Sequence, residues 1–392
     1  MKAFLLAGAA MAVLLASPAL ADDWTLSPWS TNISNIDVTV GGRAQGTAFS
    51  ADQPAALGVD RTSASGAAEL TAALERDYDS GLTIGLKSVF EVYHDRLSGD
   101  NYGDDLVQKV YAVGSTGLGR VEVGMTDGAA YALSVTGPVV DEATTIDNAN
   151  ATFFRDPSTG RAFIDAFKLN SAVESSLNYA KLSYYTPRLF GIELAASYTP
   201  SEGKDVLPFV SSGPLVANRQ ESIWEGAASY SDDLGPVQLG VYAGFALAHA
   251  NAASKTPGHE GLTEWGLGSE LDYNINDDMK LAVGGAYRHS NAYTFDINDV
   301  LAHGQTSSLH LSATLSDGPW IAGGEFGTGN ADGAPRLGVH GAGVSLGYVF
   351  NANWQASLGW QQLNYSRDAG TFYNGAPRIR MDAVFLHLRL HI

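Results

Sequence analysis

Over most of its length the chain alternates, residue by residue, between apolar side chains and polar or very small ones, in stretches of about ten residues divided by turn residues. A period of two belongs to β-strands, whose successive side chains point to opposite faces. Val237, Leu239, Val241, Ala243, Phe245 and Leu247 share one face, opposite Gln238, Gly240, Tyr242, Gly244 and Ala246. Trp265, Leu267, Leu271 and Tyr273 oppose Glu264, Gly266, Gly268 and Glu270 in the same way. The last stretch sets Val384, Leu386, Leu388, Leu390 and Ile392 against Phe385, His387, Arg389 and His391. The apolar faces carry almost no charge, whereas the opposite faces are strongly charged. Tyr and Trp gather near stretch ends, as at Tyr198, Trp224, Trp265, Tyr287, Trp320, Tyr348 and Trp354. An uncharged apolar band between aromatic girdles is what a β-barrel needs to stand in a bilayer. A soluble β-sandwich would also alternate, but it buries its apolar face and needs no such girdles.

The connections alternate too. Short turns fall at Asp79–Gly81, Thr116–Gly119, Pro187–Gly191, Asp232–Pro236, Asn274–Asp278, Ser316–Pro319 and Asn351–Asn353. Longer polar segments separate them, near 50–63, 94–104, 127–173, 201–220, 251–261, 293–304, 329–336 and 367–379. Seven short turns interleaved with eight long loops require 16 strands, with both termini on the side of the short turns. The expected fold is therefore all-β: one transmembrane antiparallel barrel of 16 strands, with its long third loop folded into the lumen.

The N-terminus reads as an export signal. Lys2 precedes an apolar run from Ala3 to Leu15, and Ala19-Leu20-Ala21 is a small-x-small cleavage site. Residues 1–21 are expected to be removed, leaving 22–392 as a single barrel domain. Beyond that leader no apolar run reaches the roughly 18 residues of a membrane helix. Cysteine is absent, so stability has to come from packing and backbone pairing. The formal charge of -19 argues against nucleic acid and is compatible with a channel lumen that prefers cations or with a solubilising surface.

The segment 127–173 is too long for an ordinary hairpin loop. Folded inward, it would narrow a wide barrel. Its acids Asp141, Glu142, Asp147, Asp156 and Asp165 are expected to face the aqueous path, while Phe153, Phe154, Phe163 and Phe167 anchor it to the wall. Arg43, Lys87 and Arg120 are expected to complete the constriction from the wall, setting positive charge across from the loop. Alternation also directs Glu69, Glu91, Glu122 and Arg288 into the lumen as pore wall, with Glu193, Glu225, Glu264, Glu270 and Glu325. A Lys or Arg facing lipid at mid-depth costs about 2–4 kcal/mol, so the lumen is where such charges belong.

Enzymatic readings are poor. Gly343-Val344-Ser345-Leu346-Gly347 matches a nucleophile-elbow pattern, but it lies inside an alternating strand with no helix after it. The histidines are scattered, without a His-Glu-x-x-His motif, and His310 and His387 read as pore lining. Asp100, Asp104 and Asp105 read as a solvated acidic loop. No catalytic residue, metal site or cofactor is expected. The expected function is an outer-membrane channel for passive diffusion of small hydrophilic solutes and ions, leaning to cations. A channel specific for a sugar or a carboxylate is the nearest alternative, followed by an outer-membrane hydrolase or a secreted β-adhesin.

Leu182-Ser183-Tyr184-Tyr185-Thr186-Pro187-Arg188-Leu189-Phe190-Gly191, running on through Ile192 to Pro200, resembles the Gram-negative trimeric porins, the alphaproteobacterial branch above all. Tyr111 to Gly124 resembles that family's fourth and fifth strands. The resemblance implies a homotrimer in outer-membrane lipid and lipopolysaccharide, with the third loop inside each barrel. The chain departs from the family's pattern at Met125 and Ser183, where Arg is frequent, and at the terminal Ile392, where Phe is usual. The first two departures imply a weaker basic half of the constriction.

Overall fold

The computed structural model describes residues 26–54, 62–94, 107–147, 153–154, 169, 171–201, 220–250, 261–291, 294–295, 301–302, 305–332 and 336–392. The expected leader 1–21, the acids Asp156 and Asp165, and the aromatics Phe163 and Phe167 lie outside these residues.

Sixteen strands form the barrel. They are β1 (Ile36–Asp52), β2 (Thr62–Asp77), β3 (Thr83–His94), β4 (Val107–Thr116), β5 (Gly119–Met125), β6 (Ala180–Tyr185), β7 (Ile192–Ser201) and β8 (Gln220–Leu234). There follow β9 (Val237–Ala250), β10 (Gly261–Asn274), β11 (Met279–Ser290), β12 (Thr306–Asp317), β13 (Trp320–Ala331), β14 (Leu337–Val349), β15 (Trp354–Arg367) and β16 (Arg378–His391). Each pairs antiparallel with its neighbours in sequence, and β16 closes the ring on β1 from Asp382↔Asp52 to His391↔Arg43. In a closed ring every strand has a partner on both sides, so no row of N–H and C=O groups faces lipid unpaired. That is why a chain without cysteine or a membrane-spanning helix can stand in a bilayer.

A short strand, Trp29–Ile33, pairs with Val40–Ile36 of β1 just beyond the point where β16 stops. Gly42 and Ile392 exchange backbone hydrogen bonds at 3.0 and 2.8 Å, and Asn353 holds both the Leu26 backbone and the His391 carbonyl. The short strand therefore continues the line of β16 along β1.

The expected short turns are all present, and turn chemistry explains the tightest. Leu234↔Val237 and Asp317↔Trp320 leave the two-residue loops Gly235-Pro236 and Gly318-Pro319. Gly235 has φ +72° and Gly318 φ +52°, which a side chain would oppose, and the proline after each fixes its own φ.

The register splits the wall cleanly into two faces. Outward, Leu86, Val123, Leu194, Val241, Phe245, Leu267, Val283, Leu311 and Val344 are exposed. Inward, Ser183, Ser197, Glu225, Glu264, His310, Ser357 and His387 are buried. An inside-out distribution on this scale is stable only where the outer solvent is apolar. Among the described residues no helix is long and apolar enough to cross a membrane. The substitution Val283→Arg, in the middle of β11, is expected to cost about 2–4 kcal/mol. Urea titration of folding into lipid vesicles measures it, and unchanged stability would place Val283 away from lipid.

Candidate pore constriction

Between β5 and β6 the chain leaves the sheet at Thr126 and returns at Ala180. Two buried charges on the wall bind both ends of this loop. The Lys181 ammonium donates to the carbonyls of Thr126, where the loop begins, and of Ser176 and Leu177, where it ends. The Glu225 carboxylate accepts from Ala130 N at 3.1 Å and Ser176 N at 3.0 Å. One cation thus collects carbonyls from both ends, and one anion collects N–H groups from both ends. Ala130 belongs to a single helical turn, α1 (Ala129–Ala132), whose Ala129 N donates to Ser197 Oγ. Further on, Glu174 N donates to Glu264, which also receives Arg288 Nε at 2.8 Å and Ser290 Oγ at 3.0 Å.

The loop then runs along the inward face of the wall, seated on glycines. A Cβ on Gly268 would collide with the Val135 carbonyl, and one on Gly284 would meet Pro138 at 3.1 Å. Val140 occupies the space above Gly323 and Gly347, each 2.7 Å from where a Cβ would sit. Leu169 and Ile146 do the same above Gly327 and Gly341. Gln355 and Gln361 on β15 donate to the carbonyls of Val140 and Thr144. At the far end Phe153 stacks on Phe385 of β16, centroids 5.3 Å apart, and leans on Phe49 of β1 at 4.9 Å. Phe154 is 1% exposed in the same cluster, so both aromatic anchors expected from sequence within the described residues are in place. Among the described residues the loop touches strands from β6 round to β1, and its two ends also reach β4, where Lys109 pairs with Asp127 at 2.7 Å and Asn178 donates to the Gln108 carbonyl.

The acids separate into two kinds. Asp141 and Asp147 turn into the wall. Asp141 Oδ1 accepts from Ala143 N at 3.0 Å and lies 3.7 Å from His387 Nε2, while His387 Nδ1 meets Thr47 Oγ1 at 2.7 Å. Asp147 accepts from the backbone and hydroxyl of Ser171 at 2.8 and 2.6 Å, with His310 Nδ1 at 3.9 Å. Burial pushes the Asp147 carboxyl above the usual range, against the pull of His310 and Ser171. Glu325 completes this group, accepting from Thr145 Oγ1, Ile146 N and His310 Nε2. Glu142, by contrast, is exposed.

The basic residues stand on β1, β3 and β5, and each has an acid beside it. Arg43 makes a two-pronged pair with Glu69, at 2.7 and 2.8 Å. Lys87 pairs with Glu75 at 2.9 Å, and Arg120 with Glu122 at 3.1 Å while lying 4.2 Å over the Tyr185 ring. Their side chains are 50%, 41% and 46% exposed, so they border open space. Glu91 accepts from Gln108, Glu193 pairs with Arg188, and Glu270 neighbours the Lys280–Asp272 pair. Lys181, the seating glycines and the glutamines of β15 were not singled out from sequence. Runs of glycine at alternate positions, such as Gly266/Gly268 and Gly341/Gly343, are the signal that could have found the seat. His310 and His387, read as pore lining, lie beneath the loop at 1% and 0% exposure. Ser345 of the elbow-like pattern lies within β14, on a strand and not at a turn into a helix.

Replacing Lys181 by Met leaves three buried carbonyls without their charged donor. The expected cost is about 3 kcal/mol in barrel stability, with a noisier open-channel current because both loop ends are released. Urea titration and single-channel recording check it together.

A family model described as Gram-negative porin matches residues 7–376. No curated protein is close enough in sequence to count as a relative. Among solved structures, an anion-selective porin from Comamonas acidovorans is similar, with TM-score 0.57 and 14% identity over 91% of this chain and 100% of that one. Mutants of Rh. blastica porin are similar at TM-scores of 0.52 and 0.51, with 16% and 17% identity over the same shares. At these identities the structural likeness speaks for the fold, and the family match for kinship. A closed barrel with a lipid-adapted outside, a polar inside and a loop bound across its wall is the architecture of an outer-membrane channel, and the chain belongs to the Gram-negative porin family.

Proposed function

We propose that the protein is a general diffusion porin, passing small hydrophilic solutes and ions through a constriction between the loop and the wall of β1 to β5. The observation that carries this reading is the loop's course. It is bound from Lys181 and Glu225 on one side to Phe49 and Phe385 on the other, facing half-exposed Arg43, Lys87 and Arg120. Such a loop lies in the lumen and narrows it, and a narrow polar passage favours small hydrated solutes.

The passage leans to cations. Arg43, Lys87, Arg120 and Arg288 are each compensated by a glutamate on the same wall, and Glu142 adds exposed negative charge from the loop. The field across the constriction is correspondingly weak. The Comamonas porin is named for the opposite preference. Asp141 and Asp147 contribute less than Glu142, because they face the wall.

The working unit is a homotrimer. Outward aromatics crowd β7 to β15, with Tyr198–Trp224, Trp265–Tyr287 and Trp320–Tyr348 in ring contact. The outward face of β1 and β2 instead carries Gly42, Ala44, Gly46 and Ala48 beside Ala64, Gly66 and Ala68. Small residues permit close approach of neighbouring barrels, and the aromatic-rich sector meets outer-membrane lipid and lipopolysaccharide. The chain is exported by a leader cleaved after Ala21.

Planar-bilayer recording in a salt gradient tests the selectivity. The expected reversal potential has cation sign, and Glu142→Gln lowers the cation-to-anion permeability ratio by a factor of about two. Asp147→Asn should leave the ratio nearly unchanged. Deletion of residues 141–165 is expected to raise single-channel conductance. Anion-sign reversal overturns the cation preference, absence of conductance overturns the channel, and an unchanged conductance after the deletion overturns the constriction.

A further inference from the structure

The short-turn rim of the barrel, the periplasmic side of an outer-membrane barrel, is uneven. Exposed carboxylates mark it at Asp79, at Asp232 and Asp233, at Asp277 and Asp278, and at Asp317. The adjacent β4–β5 and β6–β7 turns are different. Their tips carry Leu118, Leu189 and Phe190, which are 82%, 63% and 97% exposed. The charge in these turns, Arg188, is drawn back from the tip. Its guanidinium donates to Glu193 Oε2 at 2.7 Å, Ser231 Oγ at 2.9 Å and the Gly191 carbonyl at 3.0 Å.

The β6–β7 tip also breaks a local rule. Leu189 and Ile192 exchange backbone hydrogen bonds at 2.9 Å, which leaves Phe190-Gly191 as a two-residue loop. Phe190 has φ +51° and Gly191 φ +79°. Such a loop holds both central residues in the left-handed region, where Asn-Gly or Gly-Gly is at ease. A phenylalanine in the first position strains its backbone, and its exposed ring gains no packing in return. Strain kept without an internal contact points to a contact outside the chain.

The register gives the direction of that contact. Leu189 lies opposite Ile192, which shares the outward face with Leu194 and Tyr230. Leu118 is tied to the same face, because its carbonyl accepts from the outward Tyr184 Oη at 2.7 Å. The apolar tips thus continue the lipid-facing band past Tyr184 and Tyr230, rings of the kind that sit at a membrane boundary. A stable protein interface takes about 20–30 residues a side. Three side chains on two turn tips fall far short of that, whereas lipid needs only apolar area.

We propose that Leu118, Leu189 and Phe190 form an apolar foot inserted in the periplasmic phospholipid leaflet, beyond the tyrosines, while the acidic turns stay in water. Lipid then grips the barrel deeper on the β4–β7 sector than at the acidic turns. The inference rests on the barrel standing in a bilayer and not on its conduction.

The chain has no cysteine, so a single nitroxide label can be attached at a chosen position. Phe190→Cys and Leu118→Cys are labelled and refolded into phospholipid vesicles. Leu194→Cys on the lipid face and Ser80→Cys on an acidic turn serve as references. Circular dichroism confirms the barrel in each, and Leu118→Cys carries the test if the strained turn rejects Phe190→Cys. Electron paramagnetic resonance then compares collisions with oxygen, which concentrates in lipid, and with a water-soluble nickel chelate. The labels at positions 190 and 118 should favour oxygen several-fold, as at 194, and the label at 80 should favour nickel. Adding Phe190→Ser to labelled Leu118→Cys should shift that label toward nickel. Nickel access at 190 and 118, with 194 in lipid, overturns the foot. Shielding from both reagents also overturns it, because a protein partner then covers the tips. A label at 194 that favours nickel sinks the bilayer placement itself, and the foot with it.

Discussion

Everything in this protein depends on backbone groups finding partners where there is no water. In hydrocarbon an unpaired N–H or C=O costs several kcal/mol, and a sheet escapes that cost only by having no edge. The pairing of β16 with β1 is thus the contact on which the other fifteen pairings rely. Once the ring is closed, side chains are released from the work of holding the sheet together. Strands of leucine and valine outside and serine, glutamate and histidine inside become permissible in one and the same segment.

That freedom is used unevenly. On one side of the barrel the inward positions are glycines and small polar residues, and the loop lies directly on them. Gly268, Gly284, Gly323 and Gly341 are absences of side chain that the loop fills with Val135, Pro138, Val140, Ile146 and Leu169. Close packing of this kind brings loop carbonyls and amides against the wall, and buried Lys181, Glu225, Gln355 and Gln361 answer them. On the other side the inward positions are long and charged, and they pair laterally along the wall.

The barrel was legible in the sequence because its two signals, a period of two and alternating connection lengths, are local and repeated sixteen times. A fault in one stretch is outvoted by the others. The direction of each wall charge followed from the same parity, and Arg43, Lys87, Arg120 and Glu225 stand on the faces assigned to them. The orientation of the loop acids was not legible. Asp141 and Glu142 are adjacent, and one is buried against His387 while the other meets solvent; nothing in their own neighbourhood distinguishes them. The distinction is made by His387, Glu325 and the glycines, all more than a hundred residues away along the chain. Lys181 escaped notice for a related reason: it is a lone lysine on a short strand, and its partners are backbone carbonyls, which look alike in every sequence.

The seat of the loop has a mechanical consequence. Among the described residues the loop backs the wall from β6 round to β16, cross-bolted at several points, whereas from β2 to β5 only its two ends reach the wall, at Lys109 and Gln108. Resistance of a shell to bending rises steeply with its thickness. Thermal distortion of the cross-section therefore concentrates in the thin quadrant, the one carrying Lys87 and Arg120. The aperture of such a tube fluctuates by the give of one side against a rigid other, like a jaw with one moving half.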